Sequence, residues 1–235
     1  MLKYREIANE LEAYIRDNKL QQGDKLPVLE TLMTTFEASK STITKALGLL
    51  EKKGVVFQVR GSGIFVRRFN RTGYISLLSK QGFKKSHEDH NHTSKILELD
   101  VRTPSEEVAN NLGMSVEDEV YYVKRIQYVD GKALCIEESF YNKTLIPYLN
   151  KEIVSESIFN YITEALGLKI GFSDKYLHVD KINAEEAEFL GLETGDPKLD
   201  IETIYHLTNG QPFDYSKLTY NYKQSQFFIQ ENREL

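Results

Sequence analysis

The sequence has little of what marks secreted, membrane or catalytic proteins. Its 235 residues contain a single cysteine, Cys135, which excludes a framework of disulfide bonds. No apolar run approaches the ~20 residues that a membrane-spanning helix needs. No charged and then apolar leader opens the chain. We therefore expect a cytoplasmic protein that has no membrane partner.

Catalytic and metal-binding patterns are also scarce. No Ser-His-Asp arrangement can be identified, and Cys135 lies in a predicted strand without a recognisable basic partner, as a small core residue does. Residues 86–92 include three histidines and two carboxylates, but they lack helical spacing and any cysteine. We interpret this segment as a loop. The sequence predicts no catalytic residue, no metal and no cofactor.

The charge is unevenly distributed along the chain. The net charge is −5, yet residues 1–75 contain 13 Lys and Arg against 8 Asp and Glu. Only this N-terminal third is suited to binding a polyanion. The length favours two domains. We expect a first domain at residues 1–68, a linker at 69–73 and a second domain at 74–235.

Residues 38–66 organise the first domain. Ser39 is a plausible N-cap, and apolar residues from Ile43 to Leu50 follow at helical spacing until Gly54. The opposite face of this helix presents short hydroxyls and ammonium groups, on Lys40, Ser41, Thr42, Thr44 and Lys45. Two short strands then flank a tight turn that contains Arg60, Gly61 and Ser62.

Two earlier segments, residues 4–16 and 29–36, also have the apolar spacing of helices. Three helices followed by a small basic hairpin predict a winged helix-turn-helix domain. Taken alone, the polar face of residues 40–45 could be an ordinary solvated surface. Together with the hairpin and the positive charge, it indicates a surface that binds nucleic acid.

The second domain contains a repeat, because residues 106–142 and 185–221 share one plan. Each has a short helix ending in Leu-Gly, a long strand, an Asp-Gly or Asn-Gly hairpin and a returning strand. Further strands at 96–101 and 169–182 and a helix at 157–166 complete the pattern. These elements predict an α+β domain with an antiparallel sheet of about six strands and a ligand-binding cleft between its halves.

The first domain resembles the DNA-binding domain of GntR-type bacterial transcription regulators. The resemblance rests on Gly23-Asp24-Lys25-Leu26-Pro27, on Ser39-Lys40-Ser41-Thr42-Ile43-Thr44-Lys45 and on Arg60-Gly61-Ser62-Gly63. It implies DNA contacts by Lys40, Thr42, Thr44, Lys45 and Gly61, with Arg60 and Ser62 beside the groove. The family's Ser-Glu-Arg after the proline is replaced by Val28-Leu29-Glu30, so we expect an operator different from the common family site.

The second domain resembles the UTRA effector domain of the HutC subfamily, which has a chorismate-lyase-like fold. The resemblance implies an effector site formed by Arg125, Glu137, Asp214 and Tyr215. Gln127 stands where the family has a second arginine, so a neutral or singly charged ligand is at least as well supported as a phosphorylated one. Alternative roles are an exposed strand arginine for Arg125, a lysine ion pair for Glu137 and a strand-edge charge for Asp214.

Together the two resemblances predict a regulator rather than an enzyme. It would bind double-stranded operator DNA as a homodimer and act as a repressor that a small metabolite releases, such as a sugar or sugar phosphate. The alternative is an enzyme of chorismate-lyase-like fold that acts on a small acid and has an accessory winged helix. A protein-interaction module is a third interpretation.

Overall fold

A computed structural model describes residues 2–67, 74–77 and 91–229. The chain divides into two compact units, one comprising residues 1–74 and 229–235 and the other residues 75–228. The predicted linker at 69–73 and residues 86–90 of the His-rich segment lie outside the described residues. Among the helices that the structure describes, none is long and apolar enough to cross a membrane.

The first unit is the winged helix-turn-helix that the sequence predicts. Its elements are α1 (Lys3–Asp17), α2 (Leu29–Thr35), α3 (Lys40–Lys52), β1 (Val56–Val59) and β2 (Gly63–Val66). The apolar faces of the three helices meet the wing strands in one core, which includes Ile7, Leu11, Ile15, Leu32, Ile43, Leu47, Leu50, Val56 and Val66. Burying these side chains orients α3, because its polar face must then lie outside.

The wing is held to the helices by backbone and side-chain hydrogen bonds. The N–H of Leu26 donates to the Ile64 carbonyl at 2.8 Å, and Lys25 forms an isolated antiparallel bridge with Phe65 of β2. Glu51, near the end of α3, accepts from both the backbone N–H and the side-chain amide of Gln58 at 2.9 Å. The wing is therefore anchored to α3.

The second unit is built on a six-stranded antiparallel sheet with the order β4-β5-β6-β9-β8-β7. Its elements are β4 (His92–Arg102), α4 (Glu106–Leu112), β5 (Val120–Val129), β6 (Lys132–Asn142), α5 (Lys151–Ser155), α6 (Ile158–Asn160), a π-helical turn (Tyr161–Ala165), β7 (Ile170–Lys181), α7 (Ala184–Leu190), β8 (Pro197–Leu207) and β9 (Pro212–Asn221). A separate two-stranded parallel sheet is formed by β3 (Ile75–Ser76) and β10 (Phe227–Phe228).

The sheet reflects the sequence repeat. The two repeats meet at β6 and β9, where Glu138 lies directly opposite Lys217. Glu138 and Lys217 are equivalent positions, because each lies four residues before the asparagine that ends its repeat, Asn142 or Asn221. Equivalent positions of the two repeats therefore pair with each other across a pseudo-twofold axis. Helix α4 packs on β9 and α7 packs on β6, so each repeat covers the returning strand of the other. The structure confirms the predicted α+β domain.

The two faces of the sheet have different covers. Val120 and Phe140 pack with α4, whereas Tyr121 and Tyr141 pack under residues 145–170, which contain α5, α6 and the π-helical turn. Neighbouring residues of a strand point to opposite faces, so these sets belong to the two sides of one sheet. Cys135 is buried, as predicted, in a cluster with Ile75 and Leu77 of the β3 region. The second face is thus covered by α5, α6 and β3.

Candidate nucleic-acid interface and effector cavity

The N-terminal half of α3 presents the predicted polar face. The exposed residues are Lys40, Ser41, Thr44 and Lys45, and Thr42 is half-buried. Ile43 and Ala46, on the apolar face of the helix, lie in the core. Since the ammonium groups stand beside the N-terminal turn, their charge adds to the positive end of the helix dipole. This surface is suited to phosphate oxygens.

The hydroxyl groups on this face are ordered by local hydrogen bonds. The Ser39 hydroxyl accepts the Thr42 N–H at 3.4 Å and lies 3.0 Å from Ser41 Oγ and 2.9 Å from Thr42 Oγ1. Thr44 Oγ1 donates to the Lys40 carbonyl at 2.9 Å. Binding therefore requires little ordering of these side chains, and the entropic cost falls mainly on the two lysines.

The wing tip lies in the same unit and is exposed at Arg60, Gly61 and Ser62. Gly61 has φ +80° with open space around the position of a Cβ, and the Ser62 N–H donates to Val59 O at 2.9 Å. A tip without a side chain can approach a nucleic-acid groove closely. All eight residues that the sequence assigns to DNA binding therefore reach the surface; their contacts with DNA remain a prediction.

The departure at residues 28–30 has a local structural effect. Val28 is the N-cap residue of α2 and provides no side-chain cap, while Glu30 is exposed in the first turn. A carboxylate there favours the helix but repels a nearby phosphate. This surface offers no arginine contact in place of the family pattern.

A cavity of about 90 Å³ lies on the second face of the sheet in the second unit. Polar side chains of β5, β6, β7, β8 and β9 line it, namely Arg125, Glu137, Lys175, Thr203, Asp214 and Ser216, together with Ser76 of β3. Aromatic walls are provided by Phe159 of α6 and by Tyr205. Three of the four predicted effector residues are therefore brought together.

Arg125 and Glu137 form a buried bidentate ion pair. Arg125 Nε donates to Glu137 Oε2 at 2.9 Å and Nη2 donates to Oε1 at 2.8 Å, while Nη1 donates to the Val154 carbonyl at 2.5 Å. The arginine is 8% and the glutamate 7% exposed. The structure therefore excludes two alternatives considered above, an exposed Arg125 and a Glu137 paired with a lysine.

The remaining positions around Glu137 are also occupied. Gln127 donates to Glu137 Oε2 at 2.6 Å and Ser139 to Oε1 at 3.2 Å. The charge of Arg125 and these hydrogen bonds lower the pKa of Glu137 although burial alone would raise it. Gln127, at the expected second arginine, thus supports the ion pair. Glu137 acts by positioning Arg125 and has little capacity left to bind a ligand.

Asp214 has the opposite environment. It is 1% exposed, and its Oδ1 is buried without a hydrogen-bond partner among the described residues. Burial, and secondarily the charge of Glu137, raise the pKa of Asp214 well above the ordinary value, while Arg125 and Lys175 oppose that shift. The carboxyl therefore keeps its proton to a higher pH than an exposed aspartic acid does.

Tyr215 does not line the cavity. Its hydroxyl donates to Glu107 Oε1 of α4 at 2.9 Å. Its ring stacks with Phe140 on the face of the sheet that α4 covers. Since Asp214 and Tyr215 are consecutive in β9, only one of them can face the cavity. Two other tyrosines, Tyr205 and Tyr220, line the cavity.

Sequence reasoning missed Lys175, Thr203, Tyr205 and Ser216 as lining residues. The repeat contained one signal, because the pairing of Glu138 with Lys217 makes Ser216 the equivalent of Glu137. The sequence also did not indicate that Asn221, at the end of β9, has a structural role: its side-chain amide donates to the carbonyls of Ala133 and Leu190.

Comparison with known proteins agrees with this architecture. Residues 3–66 match the model of the bacterial regulatory proteins of the gntR family, and residues 87–225 match the UTRA domain. The HTH-type transcriptional regulator YydK of Bacillus subtilis (strain 168) is 67% identical over 99% of this chain and 98% of its own. The crystal structure of YydK superposes with a TM-score of 0.92 at 65% identity, covering 99% of this chain and 100% of that chain.

The chain belongs to the GntR family. Its UTRA domain is that of the HutC subfamily, as the sequence predicts. GmuR of B. subtilis (strain 168), another HTH-type transcriptional regulator, is 32% identical over 92% of both chains. The mannosyl-D-glycerate transport/metabolism system repressor MngR of Escherichia coli (strain K12) is 26% identical over 96% of this chain and 94% of its own.

These relatives make the GntR-family protein a transcriptional regulator rather than an enzyme, so the alternative of a chorismate-lyase-like enzyme is not supported. Within the described residues, no group of three or more His, Cys, Asp or Glu side chains could hold a metal ion.

Replacing Glu137 should strongly destabilise the second unit. Glu137→Gln leaves Arg125 buried without a counter-charge, which we expect to lower the free energy of unfolding by about 3–5 kcal/mol. Glu138→Gln is the matched control, since Glu138 is a neighbouring, partly exposed carboxylate; its loss should cost about 1 kcal/mol or less. Urea denaturation followed by circular dichroism measures both. Equal costs would show that the buried pair is unimportant.

The raised pKa of Asp214 predicts a pH dependence of stability. The unfolded carboxyl ionises near pH ~4, whereas the folded one ionises only at higher pH. Wild-type stability should therefore fall as pH rises from about 4 through the folded pKa, and Asp214→Asn should not show this fall. Thermal unfolding of both proteins between pH 4 and 8 tests this. A stability difference that does not move in favour of the variant as pH rises would contradict the assignment.

Proposed function

We propose that the protein is a repressor that binds operator DNA as a homodimer and is released when a small metabolite occupies the UTRA cavity. The observation that carries this proposal is the composition of the cavity wall. Ile75, Ser76 and Leu77 line the cavity, and they follow residues 68–73, which connect directly to the DNA-binding unit. A ligand in the cavity therefore contacts the chain close to the connection between sensor and DNA-binding unit.

The link can work through a small conformational element. β3 pairs with β10 over only two residues, with the Ile75 N–H donating to Gln226 O at 2.7 Å and the Leu77 N–H to Phe228 O at 3.2 Å. So short a ladder has a low local stability compared with the six-stranded sheet. A ligand that favours one arrangement of β3 must change operator affinity by the same coupling free energy, about 1–3 kcal/mol.

Repression is favoured over activation by the relatives. MngR is named a repressor, and it is similar to this chain over 94% of its own length. A repressor needs only to occupy its operator until a metabolite weakens binding. The charge-bearing cavity next to β3 supports such release without any further domain.

The homodimer is supported by the edge strand β7. It is the last strand of the sheet, and its exposed apolar side chains include Phe172, Tyr176, Leu177 and Val179, the last 79% exposed. A long apolar edge is a template for pairing with another chain. Antiparallel pairing centred on Val179 would join two sheets and place His178 beside Asp180 of the second copy. Two DNA-binding units could then occupy successive half-sites of one operator.

A gel shift with DNA upstream of the protein's own coding sequence tests operator binding. Lys40→Ala and Lys45→Ala should each weaken binding and lower the slope of log affinity against log salt by about 1, because each removes one phosphate contact. Lys52→Ala, at the other end of α3, is the matched control and should bind as the wild type does. No shift by the wild type at low salt would refute the proposal.

The same assay tests release. Sugars, sugar acids and sugar phosphates are added to the preformed complex, and at least one should dissociate it. Ser216→Leu fills the cavity with a larger side chain, so it should bind the operator normally and no longer respond. Release that persists in this variant would place the effector site elsewhere.

Charge substitutions on the two sheet edges test the dimer. Leu177→Lys and Val179→Lys should convert the protein from about twice 27.1 kDa to a monomer in size-exclusion chromatography with light scattering. Val101→Lys, on the opposite edge strand β4, provides the control and should remain dimeric. A dimer that tolerates both β7 substitutions would exclude this edge as the interface.

A further inference from the structure

The charged groups of the cavity fall into two sets. Arg125 and Glu137 are committed to each other and to their neighbours through the hydrogen bonds described above. Lys175 and Asp214 also line the cavity, and neither has an ion pair or side-chain hydrogen bond among the described residues. A ligand would therefore find one uncommitted ammonium and one uncommitted carboxyl.

Lys175 extends from β7 into a partly buried position. Its Nζ lies 5.7 Å from the centroid of the Tyr205 ring, a weak cation–π contact. Burial lowers the pKa of the Lys175 ammonium, and the charge of Asp214 only partly offsets this. An ammonium group removed from water without a hydrogen-bonding anion is unfavourable, so binding an anion there would relieve a cost already present in the free protein.

Asp214 provides an independent observation. Its Oδ1 is buried and has no hydrogen-bond partner within residues 2–67, 74–77 and 91–229, although nearly all buried polar atoms in folded proteins have one. The hydroxyl side chains that line the same cavity include Thr203 of β8 and Ser216 of β9. A hydroxylated ligand would supply the missing hydrogen bond and find further partners at these two residues.

The charge balance selects the kind of anion. A phosphate dianion requires several charge-assisted donors, but the fork of Arg125 is occupied by Glu137 and Gln127 replaces a second arginine. A single ammonium matches a single negative charge. The small volume, about 90 Å³, also favours a compact ligand group.

We propose that Lys175 and Asp214 are the specificity-determining pair of the effector site, Lys175 binding a carboxylate and Asp214 a neighbouring hydroxyl of a small hydroxylated monocarboxylic acid. This inference rests on the proposed function of the cavity as the effector site. It assigns the anion to a strand at the edge of the sheet. Arg125 then shapes the wall of the cavity.

Three probes with the same three-carbon skeleton separate the ligand classes: glycerol, D-glycerate and glycerol 3-phosphate. Thermal-shift titrations of the full chain at constant ionic strength give the apparent affinity for each, because binding to the folded state raises its stability. We expect D-glycerate to bind more tightly than either of the others. Equal responses to all three, or a preference for glycerol 3-phosphate, would overturn the proposal.

Variants then locate the anion. Lys175→Met keeps the length of the side chain without its charge and should weaken D-glycerate binding at least about tenfold, as loss of a charge-assisted hydrogen bond does. Lys175→Arg should retain most of the affinity. Lys132→Met removes an exposed lysine from β6, away from the proposed dimer edge, and should change nothing. Unchanged binding by Lys175→Met, or equal losses in the two methionine variants, would refute the role of Lys175.

Operator binding keeps this test separate from the proposed function. Lys175→Met should shift the upstream DNA as the wild type does, because Lys175 lies in the UTRA unit. If the wild type failed to bind that DNA, the regulatory proposal would fail while the probe comparison still decided the ligand class. If DNA binding were normal and the probes showed no discrimination, only the ligand assignment would fail.

Discussion

The arrangement of the UTRA unit depends on the buried ion pair between Arg125 and Glu137. This pair joins β5 to β6 at directly opposed positions, and the third arm of the guanidinium holds the Val154 carbonyl of α5. Such a pair contributes little net stability, but losing either member leaves an uncompensated charge in the protein interior. It therefore selects one relation between the sheet and its helical cover.

The pairing of Arg125 with Glu137 limits which groups of the cavity can bind a ligand. Since the guanidinium is already paired, the electrostatic character of the cavity comes from the ammonium of Lys175 and the carboxyl of Asp214, which have no ion pair or side-chain hydrogen bond within the part of the chain that the structure describes. Both are partly or fully desolvated, and their pKa values move toward neutrality. A ligand with complementary polar groups would supply hydrogen bonds to this ammonium and this carboxyl. The short β3–β10 ladder makes one wall of the same cavity the easiest part to rearrange.

Much of this fold follows from the sequence. The helical spacing of α3 and the glycine wing predict the first unit, and the repeated Leu-Gly, Asp-Gly and Asn-Gly signals predict the sheet of the second. Tyr215 is the one of the four predicted effector residues that does not line the cavity. Asp214 and Tyr215 are adjacent in a strand, so they face opposite sides, as strand periodicity alone requires.

Other features depend on tertiary packing. The commitment of Glu137 to Arg125 depends on side-chain directions in two paired strands, and no local pattern reveals it. Lys175 could not be recognised because an edge strand shows little burial pattern, so its one cavity-facing lysine resembles its exposed neighbours. The covering role of β3 arises from a pairing with β10, about 150 residues later in the chain.

We propose that binding of operator DNA and the arrangement of β3 in the cavity wall are linked. Hydrogen exchange of the full chain with and without bound operator DNA tests it most directly, because coupling between two sites is reciprocal. We predict that operator binding changes exchange of the Ile75 and Leu77 amides, while the amides between β6 and β9 stay unchanged. A change confined to α3 and the wing, with β3 unaffected, would contradict the account.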